Sequence, residues 1–340
     1  MEYFQSWALR SALIAILVAP VIGAACSQSP TAPTPPPPPP APVTNPPSLA
    51  CIEGLARSTT NAAGLELHFD SPPVTDGQSP VTVSCSPGSG SVFPIGTTQV
   101  GCTATDSLNR TGTCSFNVTI SKLPVLSKTR FLAFGDSITA GEVTIPLGSQ
   151  SSGRGTISKQ VIVPGAAYPA VLDRTLKGRY ASQAGEITVG NFGLGGEKAI
   201  DARARYFSSL NSFRPDAVLL MIGYNDIPLG ADGAASTAAN EVRIMAAEAR
   251  LRGMRVFIAT LAPPRPGGNK AISQFLVDDF NGRVRALANT EGAVLVDVYG
   301  GLLPEVQRYI GVDGLHPTEA GYAKIADLFF QAIQNQFEVR

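Results

Sequence analysis

The pattern of apolar and polar positions changes character several times along the chain. From about Lys128 onward, short apolar runs alternate with longer stretches of helical period. Phe131–Phe134, Ile187–Asn191, Ala217–Ile222, Val256–Leu261 and Val294–Val298 read as strands, each nearly continuous in apolar side chains. Strands of that kind are buried on both faces, which implies a parallel sheet covered by helices. Between them, Glu241–Arg252 and Ile272–Asn289 keep a helical apolar period and stop at Gly253 and near Gly292, both placed as glycine C-caps. A last helix, roughly Glu319 to Gln334, gathers Tyr322, Ile325, Leu328 and Phe329 on one face. Glu142 to Gly165 is rich in Gly and Ser, and reads as a long loop.

Upstream of Lys128 the period shortens to two. Leu65–Phe69, Val81–Val83, Thr98–Thr105 and Ser115–Ile120 alternate or are β-branched, and Asp76-Gly77, Pro87-Gly88 and Asn109 supply turns between them. That spacing predicts a small β-sandwich over residues 49–121, followed by a linker at 122–127 and the α/β part at 128–340. Residues 26–48 are dominated by proline, with an unbroken run to Pro40, and predict an extended polyproline spacer. Residues 1–25 have the form of an export signal: Arg10, an apolar stretch from Ser11 to Val21 interrupted by Pro20, then Gly23-Ala24-Ala25. Cys26 follows at once and resembles the lipid acceptor in the lipobox of bacterial lipoproteins, although Gly23 stands where that motif usually has Leu. A lipid on Cys26 would anchor the chain to a membrane, with the proline spacer holding the folded part away from it. Plain secretion is the alternative.

Composition adds limits. Lys plus Arg and Asp plus Glu both total 26, so no net field favours nucleic acid. The chain has two histidines, His68 and His316, far apart in sequence, so no metal-ligand run appears and any histidine catalysis uses one of them. Of five cysteines, setting Cys26 aside leaves Cys51, Cys85, Cys102 and Cys114, all in the β segment. An even set in a small exported domain reads as two disulfides, and three pairings are open. Pairing Cys85 with Cys102 and Cys51 with Cys114 is favoured. His68 reads as a structural or surface residue. The Asn109 and Asn117 sequons match a glycosylation pattern that a bacterial-type export signal argues against.

The candidate chemistry begins at Gly135-Asp136-Ser137, just past the first apolar strand, where open α/β sheets place their sites. As a bare tripeptide it is most simply a helix N-cap. Three later stretches change its weight: Asn191-Phe192-Gly193-Leu194-Gly195-Gly196, Gly223-Tyr224-Asn225-Asp226 and Asp313-Gly314-Leu315-His316-Pro317. In this order the four resemble the blocks of the SGNH (GDSL-type) hydrolase family. The resemblance spans 128–340 and implies a flavodoxin-like α/β/α sandwich with a central parallel sheet. Likewise Ser91–Thr98, followed by Cys102-Thr103-Ala104-Thr105-Asp106 and Cys114-Ser115-Phe116-Asn117-Val118, resembles the hyalin repeat, an immunoglobulin-like module.

An ester carbonyl needs a nucleophile, a base, an orienting acid and donors for the oxyanion. Ser137 is the candidate nucleophile and His316 the candidate base. Asp313, three residues earlier, can orient and stabilise the imidazole, and the family resemblance implies these same roles. A turn at Asp313-Gly314 that merely opens the last helix is the bland reading, and the other blocks weigh against it. The oxyanion donors implied are the N–H groups of Ser137 and Gly196 and the Asn225 amide. Gly195 stands where many relatives carry Ser or Ala. Asp136 and Asp226 read as residues that cap or tie loops, and the long loop at Glu142–Gly165 is expected at the substrate rim.

The sequence therefore predicts an exported serine esterase that needs no metal and no organic cofactor. Its partner is an ester substrate: an acetylated carbohydrate, a small ester or a lipid acyl chain. A surface adhesion or carbohydrate-binding protein with an inactive hydrolase-like domain is the rival from another class, and would not require Ser, His, Asp, Asn and Gly together.

Overall fold

A computed structural model describes residues 45–149, 156–227 and 233–339. The export signal, Cys26 and the proline run to Pro40 lie outside the described residues.

In the β-rich region, alternation of side chains selects which face of each strand is buried. The longer strands are β1 (Leu55–Thr59), β2 (Leu65–Leu67), β3 (Thr82–Ser86), β4 (Ser91–Phe93), β5 (Gly96–Thr105) and β6 (Thr111–Lys122). A four-stranded sheet runs β1-β6-β5-β3, and β2 pairs with β4 in a second, two-stranded sheet. Val100, Cys102 and Ala104 on β5, and Phe116, Val118 and Ile120 on β6, point inward with Phe93. Asp76 and Asn109 adopt positive φ at the turns that the sequence marks. Two disulfides join Cys51 to Cys114 and Cys85 to Cys102. His68 falls just past β2, exposed, with Nε2 3.3 Å from a Glu66 carboxylate oxygen.

The α/β region is built on five parallel strands: β7 (Arg130–Gly135), β10 (Thr188–Gly193), β11 (Ala217–Met221), β12 (Arg255–Ala259) and β13 (Val294–Val296). Their order in the sheet is β10-β7-β11-β12-β13, so the first strand in sequence lies second from one edge. Phe131–Phe134 and Ala217–Leu220 are fully buried, as near-continuous apolar strands require. The longer helices are α2 (Tyr168–Arg179), α3 (Ala199–Phe213), α4 (Ala234–Leu251), α5 (Gln274–Thr290) and α6 (Glu319–Phe337). This is the flavodoxin-like α/β/α arrangement. Its switch point, where the connections that follow β7 and β11 run to opposite sides of the sheet, lies at the carboxyl ends of these two strands.

Differences from the sequence expectation have local causes. Helix α4 begins at Ala234, well before Glu241, because its first turns are Ala, Ser and Thr and show no contrast between faces. Strand β10 runs on to Gly193, since a half-exposed edge strand paired only with β7 accommodates Asn191 and Gly193 at its end. The linker is shorter than 122–127: Val125–Leu126 pairs with Glu338–Val339 and Leu126 is buried. Glu142–Gly165 is not an open loop. Strands β8 (Glu142–Ser149) and β9 (Thr156–Ile162) form an antiparallel hairpin whose ladder pairs Glu142 with Ile162 and Thr144 with Gln160. The alternation of Val143 and Ile145 with polar neighbours on β8 fits that pairing, and the signal is diluted by the Gly and Ser residues between the strands.

Candidate active site

Strand β7 ends at Gly135 and the chain turns at once into a four-residue helix, α1 (Ser137–Ala140). Asp136 caps it, with Oδ1 accepting a hydrogen bond from Ile138 N–H at 3.0 Å, and Gly141 closes it in the left-handed region at φ 95°. The turn packs directly on the end of β10: a Cβ at Gly193 would lie 2.0 Å from Ala140 N, so only glycine fits there. Ser137 is thereby held at the carboxyl end of the sheet's second strand.

The segment after the last strand delivers the partners. His316 Nε2 lies 3.0 Å from Ser137 Oγ, and His316 Nδ1 lies 2.6 Å from Asp313 Oδ2. Asp313 Oδ1 accepts hydrogen bonds from the N–H groups of Leu315 and His316, both at 3.1 Å. Its short loop therefore folds on its own acid. The Gln160 amide of the hairpin donates to Asp313 Oδ2 at 3.4 Å. Ser137, His316 and Asp313 are 6%, 2% and 1% exposed, so water is largely excluded from this chain of bonds.

The two aspartates of the site are driven in opposite directions. Burial pushes Asp136 up to about 7, only partly offset by the Ile138 N–H and by His316, and its Oδ2 is buried without a partner. Burial also acts on Asp313, but the hydrogen bonds from the His316 ring and the Leu315 N–H outweigh it and hold the carboxyl well below the usual carboxylate range. A carboxylate so held stays ionised and can orient an imidazole and balance its charge.

Asn225 follows β11 in a turn that opens at Gly223, φ 135°. Its Nδ2 donates to Glu197 O at 2.9 Å. A primary amide carries two N–H bonds, so this contact fixes the side chain while leaving one donor for a ligand. Asp226 Oδ2 accepts from Ala199 N–H at 2.9 Å and ties that turn to the start of α3, the loop-tying part expected of it. Gly196, φ 75°, has open space where a side chain would project. Beside Asn225, a groove of about 500 Å³ is lined by Asn269, Lys270 and Ser273 at its rim and by Tyr224, Ile272, Leu276 and Leu315. Among the described residues no group of three or more His, Cys, Asp or Glu is arranged to hold a metal ion. No helix of the described residues is long and apolar enough to cross a membrane.

Sequence reasoning missed the hairpin's share of the site. Glu142 Oε2 is 3.5 Å from His316 Nε2, Tyr322 OH donates to Glu142 O at 2.6 Å, and Thr144 and Gln160 face Asp313. The available signal was the period of two in Glu142-Val143-Thr144-Ile145, which puts Glu142 and Thr144 on one face.

A parallel α/β/α sandwich with Ser, His and Asp joined at its switch point has the form of a serine hydrolase, and comparison with known proteins makes the chain a carboxylic ester hydrolase and specifies its family. The model of the GDSL-like lipase/acylhydrolase family matches residues 133–324, more than half of the chain, and the chain belongs to that family. The HYR domain model matches residues 43–120. Similar solved structures include a lipase/acylhydrolase from Enterococcus faecalis, 20% identical, covering 62% of this chain and 97% of that one, with a TM-score of 0.48. A putative GDSL-like lipase from Parabacteroides merdae is 23% identical, covers 62% and 97%, and has a TM-score of 0.48. An acetylxylan esterase from Geobacillus stearothermophilus is 22% identical, covers 61% and 94%, and has a TM-score of 0.47. A search of the curated proteins finds no match.

Proposed function

We propose that the protein is an exported serine esterase that removes small acyl groups from carbohydrate, with Ser137 as nucleophile, His316 as base and Asp313 as orienting acid. The observation that carries this reading is the continuous chain of contacts from Ser137 Oγ through the His316 ring to the Asp313 carboxylate. In the first half-reaction Ser137 Oγ bonds to the ester carbonyl carbon as its proton passes to His316 Nε2. The oxyanion is received by the N–H groups of Ser137 and Gly196 and by the free N–H of Asn225. Collapse breaks the bond to the alcohol, which leaves with the proton from His316. Water then repeats the sequence on the acyl-serine, with His316 again taking and returning the proton.

The polar rim of the groove at Asn269, Lys270 and Ser273 supports a polyhydroxylated alcohol. Two disulfides and the HYR domain support an extracellular location, because cysteine pairs persist in oxidising compartments. Anchoring through Cys26 completes the reading: Cys26→Ser should move the protein from the membrane fraction to the soluble one. Hydrolysis of p-nitrophenyl esters from acetate to palmitate, beside acetylated xylan, tests the substrate. Acetate release from xylan with a steep fall beyond butyrate is expected, and a maximum at long chains would replace carbohydrate with lipid.

A further inference from the structure

The carboxylate of Glu142 stands beside the Ser137–His316 pair, and among the described residues no Lys or Arg balances it. Its Oε2 is 3.5 Å from His316 Nε2, on the ring edge that faces Ser137. Its Oε1 occupies the space that a side chain at residue 195 would fill, 2.2 Å from an ideal Cβ there, and that same position is 4.0 Å from Ser137 Cβ. Gly195 and Glu142 are thus matched: any larger residue at 195 would displace the carboxylate. Two anchors keep its backbone in place, the Tyr322 hydroxyl on Glu142 O and the β8–β9 ladder. Among the described residues no Lys or Arg pairs with Glu142, whereas the nearby Glu197 is paired with Arg205.

A negative charge beside a carbonyl that becomes an oxyanion raises the barrier for a neutral ester. It lowers the barrier for an ester whose alcohol brings a positive charge between the two. We infer that Glu142 is a specificity-determining residue that selects esters whose alcohol carries an ammonium group close to the ester oxygen. The inference rests on Ser137 being the nucleophile. Within the carbohydrate reading the cation is the free amine of an amino sugar, and an acidic sugar is disfavoured.

Acetylcholine and 3,3-dimethylbutyl acetate have nearly the same shape and differ in charge, so their kcat/KM ratio isolates the electrostatic effect. The wild type should favour the cationic ester by on the order of 10-fold, as expected for opposite charges several ångströms apart in a partly wet site. In Glu142→Gln, which keeps the size of the side chain, the ratio should fall towards one, and 0.5 M salt should shrink the wild-type preference. A wild-type ratio near one overturns the inference. So does a Glu142→Gln enzyme that slows equally on both esters, because Glu142 would then serve the His316 imidazolium and not the substrate. Should neither ester be turned over, the rates at which a cationic and a neutral p-nitrophenyl phosphonate label Ser137 give the same ratio. Labelling that survives Ser137→Ala would instead remove the nucleophile assignment, a failure distinct from that of Glu142.

Discussion

The β-rich and α/β regions solve the same stability problem by different means. The core of the β region is small, formed by Leu67, Phe93, Val100, Phe116, Val118 and Ile120 around Cys102. The α/β region has no cysteine, and packs whole strands such as Phe131–Phe134 and Ala217–Leu220 between helices with Tyr206, Phe257, Phe280 and Phe329 fully buried. A short chain cannot remove enough apolar surface from water to offset its conformational entropy, and covalent links make up the difference by restricting the unfolded chain. The larger region reaches the same end through burial alone, at about 1.5–3 kcal/mol for each large side chain. The candidate site therefore lies where burial has already fixed the backbone, at the ends of β7, β10 and β11.

The largest effect expected is confined to the α/β region. Ser137→Ala should lower ester hydrolysis on the order of 10,000-fold or more while leaving both regions folded, since only one hydroxyl is removed. Circular dichroism and steady-state kinetics check this, and near-normal turnover would end the esterase mechanism proposed. Next come the disulfides, which should act on the β region only. Cys51–Cys114 closes a separation of 63 residues and Cys85–Cys102 one of 17. By the chain-entropy relation their removal should cost about 4 and about 3 kcal/mol respectively. Denaturation followed by tryptic fragmentation should show the β region released first. Esterase activity after reduction should persist, and its parallel loss would mean that the two regions fold as one unit.

Asn225 tests how far the site depends on a single donor. Asn225→Ala should lower kcat by about 100- to 1,000-fold with KM little changed, because the bond strengthens as the oxyanion forms. Asn225→Asp should be worse, as it sets a carboxylate against the same charge. If both variants lose thermal stability in proportion to activity, the bond to Glu197 O matters more than the oxyanion.

What could be read from the sequence follows from which interactions are local. Asp313 and His316 share one loop and Gly135-Asp136-Ser137 ends one strand, so short motifs contain their geometry. The strands of the sheet show because burial on both faces demands unbroken apolar runs. The β8–β9 hairpin did not show, since glycine and serine weaken its alternation and its ladder is built between chain segments. Glu142 was invisible as a site residue for a related reason: its significance depends on His316, far away in sequence, and on the missing side chain at Gly195.

Per pH unit, the smallest effect expected is a difference in how the two regions respond to pH, and it turns on two buried aspartates. In the β region Asp106 is held down to about 2: burial would raise it, but the N–H groups of Arg110, Gln78 and Leu108 and the Arg110 guanidinium outweigh that. Its contribution is therefore present above the ordinary aspartate range near 4 and is lost as pH falls towards 2. Asp136 is the reverse case, pushed up to about 7 with one oxygen unpartnered. The folded α/β region then holds a proton that the unfolded chain has released between about pH 4 and 7, so this group's contribution declines as pH rises through that window and is flat above it. The slope is up to about 1.4 kcal/mol per pH unit, or roughly 3–6 °C in Tm for a region of this size. Asp136→Asn keeps a neutral cap on Ile138 N–H and should flatten the slope between pH 4 and 7 in the α/β transition, leaving the β transition unchanged. Calorimetry at pH 4, 5.5 and 7 resolves the two. An Asp136→Asn protein with the wild-type slope would mean that Asp136 is ionised in the fold, and that its buried oxygen has a partner in solution.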